Sequence, residues 1–101
     1  MPVDCVQEGR ALTIQVSGEV DHHAARAIME EVSRQLDAAL PRNLTMDLSG
    51  VTFMDSSGIA LVLRAYQHMG RLQGSMTVTH VPDQAMKVLK AAGIDHLIPM
   101  E

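Results

Sequence analysis

The sequence predicts an α/β domain: an N-terminal β-hairpin, then βα units building a mixed, mostly parallel four-stranded sheet with helices packed on it. Three observations carry this. Period-two alternation of apolar residues occurs in short stretches. Apolar stripes at helical spacing separate those stretches. The resulting order, β-β-α-β-α-β-α, requires crossover connections between parallel strands after the hairpin. At 101 residues the chain is one domain, residues 1–101.

Val3–Val6 reads as a short strand, and Glu8-Gly9-Arg10 as the turn that pairs it with the next. In Ala11–Ser17 the residues Leu12, Ile14 and Val16 alternate with Thr13 and Gln15, so the first three face a core. Gly18-Glu19-Val20-Asp21 breaks the alternation. From Ala24 to Leu40 the spacing is helical, with Ala25, Ile28, Val32, Leu36 and Leu40 on one stripe. Asp21 is placed to cap this helix, Glu30 and Arg34 to form an i,i+4 pair, and Pro41 to stop it.

Leu44, Met46 and Leu48 mark the third strand, and Ser49–Met54 reads as a connection. A second amphipathic helix follows Asp55-Ser56-Ser57-Gly58, with Ile59, Val62, Leu63, Tyr66 and Met69 sharing a face. Gly70 and Gly74 flank a turn before a fourth strand marked by Met76 and Val78. Pro82-Asp83 opens a third helix with Ala85, Met86, Leu89 and Ala92 inward, and Gly93 stands where a left-handed C-cap belongs. Ile94, Leu97 and Ile98 are expected to close onto the core.

Composition excludes several classes. Net charge is −4, with eight acids and four bases in residues 1–50 and four of each in 51–101. An acidic chain without a Lys/Arg cluster is a poor nucleic-acid binder, and Phe53 and Tyr66 alone make no base-stacking platform. No apolar run is long enough to span a bilayer, so no membrane contact is expected. Met1-Pro2-Val3-Asp4-Cys5 lacks the basic and apolar regions of a signal peptide. The single Cys5 leaves no internal disulfide and no cysteine-rich zinc site, so the expected compartment is the cytosol.

In a parallel sheet the carboxyl ends of the strands share one edge, and the loops there carry the site. Three loops are predicted to meet: Gly18–His23, Ser49–Gly58 and His80–Asp83. Asp55-Ser56-Ser57-Gly58 lies at a strand-to-helix junction. Its side chains first suit a helix cap; the alternative is a reactive or modifiable hydroxyl, because a phosphate is stabilised at a helix N-terminus. A serine nucleophile needs a base and an oxyanion hole. The chain has no G-x-S-x-G elbow, although His22, His23 and His80 fall on the same edge. An aspartyl phosphate on Asp55 would want further acids for Mg²⁺, and no acidic pair ends the first parallel strand. Asp21-His22-His23 has no H-x-x-x-H partner for a metal, and no glycine-rich phosphate loop occurs. No cofactor and no metal are expected.

Gly18-Glu19-Val20-Asp21-His22-His23 together with Asp47–Ile59 resembles the STAS domains of bacterial anti-sigma factor antagonists. The pattern G-E-[LV]-D-H-H followed by F-M-D-S-S-G fits residue for residue and is closest to the sporulation type, antagonists of the anti-sigma-F factor. The chain departs from the family pattern at Ala60, commonly glycine, and at Leu63-Arg64-Ala65-Tyr66, commonly L-G-R-Y. The resemblance implies a non-enzymatic, monomeric switch phosphorylated on Ser56. Its partners would be an anti-sigma factor serine kinase with its bound nucleotide and a PP2C-type phosphatase. The implied partner-binding residues are Asp21, His22, His23, Asp55, Ser57, Gly58, Ile59, Ala60, Pro82 and Asp83. Two alternatives stay open: a STAS antagonist serving a stress-response sigma factor, and a small serine hydrolase using the same edge.

Overall fold

The computed structural model describes residues 3–101; Met1 and Pro2, part of the segment read above for a leader, lie outside the described residues. Four strands and three α-helices alternate as β1 (Val3–Glu8), β2 (Ala11–Val20), α1 (Ala25–Ala39), β3 (Asn43–Met54), α2 (Ser56–Arg71), β4 (Ser75–Thr79) and α3 (Asp83–Ala91), followed by a 3₁₀ turn at Ile94–His96. The sheet order is β1-β2-β3-β4, with β1 antiparallel to β2 and the remaining pairs parallel. This is the predicted α/β architecture.

Alternation in the strands decides which face is covered. Leu12, Ile14, Val16, Leu44, Met46, Leu48, Met76 and Val78 are buried on one face. The opposite face carries Thr13, Gln15, Thr45, Asp47 and Thr77, which remain at least partly accessible. Successive crossovers of one hand, moving in one direction across the sheet, place their helices on the same side. The core accordingly joins the apolar sheet face to Ile28, Val32 and Leu36 of α1, Leu61, Val62, Ala65 and Met69 of α2, and Ala85 and Leu89 of α3.

Several boundaries differ from the sequence expectation. β2 does not end at Ser17. It runs on to Val20, and Ser49–Met54 is strand rather than connection, because these segments pair with one another from Ser17↔Gly50 to Val20↔Met54. Register shifts at Gln15/Ser17 and Gly18/Glu19 interrupt the period-two pattern that would have revealed this. Gly18 takes φ +85° at the irregularity, a conformation that favours glycine.

Helix details shift for equally local reasons. Asp21 caps a turn before α1 rather than the helix itself, whose N-cap is Ala24 with no side-chain bond. Leu40 takes a left-handed conformation as the C-cap and is 61% exposed, so it leaves the core stripe. Arg34 bonds Glu31, not Glu30, and Glu30 instead pairs with Arg26. On α2 the buried arc is wider than one stripe and is rotated: Leu61, Ala65 and His68 are buried, while Ile59, Leu63 and Tyr66 are only partly so. The helix is covered by α1 and α3 as well as by the sheet. His68 Nε2 lies 3.0 Å from Asp37 Oδ1 across the α1–α2 contact. Met86 is half-buried, and Ala92 and Leu97 point to solvent. Met100 instead pairs with Val78 on the β4 edge.

Candidate functional site

Two of the three predicted loops meet, where β2 and β3 end together at Val20 and Met54; the third leaves the shorter β4 beside Asp47, well before the end of β3. The Asp55 amide donates to the Val20 carbonyl at 3.1 Å, tying the third-strand junction to the end of β2. The Asp55 carboxylate accepts from the Ser57 amide at 2.7 Å, and its carbonyl accepts from the Gly58 amide at 2.9 Å. Asp55 is therefore the N-cap of α2, satisfying donors that a helix start leaves unpaired. Ser56 is the first residue of the helix and is exposed. Ser57 and Ile59 are half-buried, and Ala60 is exposed one turn further on.

Gly58 is buried, and its place has no room for a side chain. A Cβ built there would fall on the Cγ and Sδ of Met54, itself wholly buried. This contact draws the first turn of α2 down onto the end of β3 and leaves Ser56 on the rim.

Asp21 forms a compact turn. Its carboxylate accepts from the His23 and Ala24 amides, each at 3.0 Å, and its carbonyl accepts from Ala25 at 2.8 Å. The Ala24 amide, followed by the His23 amide and the neighbouring imidazoles, holds the Asp21 carboxyl below the usual aspartate range. His22 and His23 are exposed, with ring centroids 3.9 Å apart. The third loop carries His80 at φ +54°, with Pro82 as the N-cap of α3 and Asp83 exposed after it. His80 Nδ1 faces Asp47 Oδ2 at 3.7 Å. Burial raises the Asp47 carboxyl, but hydrogen bonds from Ser49 and the facing His80 outweigh it and leave the carboxyl lowered.

One residue at this edge carried no sequence signal. β4 ends opposite Asp47, so the last part of β3 has a strand on one side only. The Gln84 side chain of α3 fills the gap: its Oε1 accepts from the Met54 amide at 2.8 Å, and its Nε2 donates to the Met54 carbonyl at 2.7 Å. The primary amide stands in for a neighbouring peptide, one residue before the Asp55 cap. Gln84 lies 30 residues from Met54 in sequence, and no local pattern links them.

A one-faced, mixed α/β sheet with an exposed serine at the strand-to-helix junction of its central βα unit defines the class. The STAS domain family model matches residues 3–101, and the chain belongs to that family. The anti-sigma F factor antagonist of Paenibacillus polymyxa is 30% identical over 93 residues, covering 88% of this chain and 76% of its own. Among solved structures, the anti-sigma factor antagonist SpoIIAA in its unphosphorylated form matches with a TM-score of 0.82 at 22% identity, over 98% of this chain and 87% of that one. The phosphorylated form of Bacillus SpoIIAA matches with a TM-score of 0.73 at 22% identity, over 98% and 90%.

Proposed function

We propose that this chain is a phosphorylation-regulated anti-sigma factor antagonist. In its unmodified form it binds an anti-sigma factor serine kinase through the edge around Asp21, Asp55, Ser56 and Pro82-Asp83, and the sigma factor is released. The kinase transfers the γ-phosphoryl group of its ATP to Ser56 Oγ, with loss of the hydroxyl proton and formation of ADP. The phosphorylated form no longer binds, and a PP2C-type phosphatase restores the hydroxyl.

The observation that carries this reading is the position of Ser56. It is exposed at the first residue of α2, with the adjacent cap already supplied by Asp55. The Ser56 hydroxyl is therefore not needed as a cap. Phosphate there would gain from the positive helix end, whereas a partner surface fitted to a neutral hydroxyl would meet about −1.5 to −2 added charges. The name of the Paenibacillus relative, an anti-sigma F factor antagonist, supports the same reading.

Incubation with anti-sigma kinases and ATP, followed by tandem mass spectrometry, tests it. One phosphate on Ser56, absent in Ser56→Ala, is expected, together with loss of kinase binding by the phosphorylated form. Phosphate mainly on Ser57, or ester turnover without any kinase, would overturn it.

A further inference from the structure

Beside the candidate serine, α1 and α2 enclose a groove of about 800 Å³. Ser57, Ala60 and Arg64 line it from α2 at positions i, i+3 and i+7, one face of the helix. Its floor is small and apolar, with Ala25, Met29 and Leu61, so a side chain or chain segment can approach closely.

The charges on its walls are unequally committed. Arg26 is paired with Glu30 at 3.4 Å, and Arg34 with Glu31 at 3.1 Å. Asp37 faces His68. Among the described residues Arg64 has no ion-pair partner, and its side chain is exposed. On a chain of net charge −4, this groove gathers three guanidinium groups against two carboxylates, Glu30 and Asp37, and leaves the Arg64 guanidinium uncommitted. It begins at Ser57, immediately after the candidate acceptor, so a partner seated on Ser56 reaches it without a gap.

We infer that the groove takes an acidic segment of the anti-sigma partner, with Arg64 as the contact that selects it. The inference rests on the function proposed above and adds to it a second contact of opposite sign. Asp21 and Asp55 present negative charge on the loop edge, while Arg64 presents positive charge in the groove. A partner must match both, and this is how charge arrangement gives specificity. The apolar floor favours a protein segment over a free anion, since a hydrated anion gains nothing from Met29 and Leu61.

The test measures affinity for the anti-sigma kinase that phosphorylates the wild-type chain, at two salt concentrations. Arg64→Glu should weaken binding tenfold or more, and Arg64→Ala by less. Arg64→Lys should stay within a few-fold of wild type, and the wild-type advantage should shrink at high salt. Reversing the partner's acidic residue to Lys should restore binding to Arg64→Glu. Melting temperatures should be unchanged, because Arg64 makes no side-chain hydrogen bond or ion pair among the described residues; if Arg64→Glu proves unstable, Arg64→Gln takes its place. Wild-type binding that is lost on phosphorylation of Ser56 but is equal in wild type, Arg64→Glu and Arg64→Ala would overturn the groove contact and leave the proposed function standing. Absence of any kinase binding by the wild-type chain would overturn both. Self-association that Arg64→Glu abolishes, with kinase binding intact, would assign the groove to a second copy and overturn the inference.

Discussion

Asp21 separates two roles that one carboxylate can play. Within the domain it accepts the His23 and Ala24 amides, a task asparagine performs about as well. Asp21→Asn should leave the melting temperature near neutral pH almost unchanged while weakening partner binding roughly tenfold, if its charge meets a basic group there. Acid gives the complementary measurement. The amide bonds lower the Asp21 pKa in the fold, so the ionised form is the one folding favours. The resulting stability is fully present above the unfolded carboxylate value and is lost as pH falls through the lowered folded value. Melting curves between pH 6 and pH 3 should therefore fall less steeply for Asp21→Asn than for wild type. Gly58 tests packing at the same scale. A methyl group there collides with Met54, and Gly58→Ala should cost about 1–3 kcal/mol by thermal unfolding, although alanine is the better helix former. The D-S-S-G motif was legible as a junction with a modifiable hydroxyl. That the cap is supplied by Asp55, so that no serine hydroxyl is needed for it, was not, because that depends on the Asp55 carboxylate accepting the Ser57 backbone amide.

At the scale of elements, strands and helices followed from periodicity wherever the backbone was regular. Leu12-Ile14-Val16 and Leu44-Met46-Leu48 give their strands directly, whereas Gly18–Val20 and Ser49–Met54 hide theirs behind two register shifts. The hidden part positions the candidate site, since Val20 and Met54 end the paired ribbon from which the Asp21 and Asp55 loops leave. Gln84 secures that ribbon on its open side. Gln84→Ala would leave the Met54 amide and carbonyl without these bonds, at a cost of about 1–3 kcal/mol. Hydrogen exchange at Met54 and Asp55 should accelerate, and phosphorylation of Ser56 should slow as its cap loosens. Gln84→Glu keeps the length but loses the donor to the Met54 carbonyl, so it should not rescue. Unchanged exchange at Met54 in Gln84→Ala would show that the strand end holds itself. The rotated face of α2 has a similar origin: periodicity finds one stripe, but a helix covered by α1, α3 and the sheet buries a broader arc, including His68.

For the whole molecule, the question is whether the proposed phosphate acts by charge or by shape. The unphosphorylated and phosphorylated SpoIIAA structures both match this fold over 98% of the chain. Three contacts hold the backbone around the serine: Asp55 is bonded to Val20, Met54 to Gln84, and Gly58 is packed on Met54. A phosphate on Ser56 would take the net charge from −4 toward about −6, concentrated on an edge that already holds Asp21, Asp55 and Asp83. Amide shifts on phosphorylation should be confined to residues 55–60 and the Asp21 turn, with α1 and the remaining sheet unmoved, while affinity for the kinase falls steeply. Because the second phosphate pKa is about 6, the loss of affinity should ease as pH drops below that value. Ser56→Asp, with one charge and fewer acceptor oxygens, should weaken binding less than phosphate does. Widespread shifts through α1 and the β2–β3 ribbon would instead identify a conformational switch, and the packing of Gly58 on Met54 would be the first contact to reconsider.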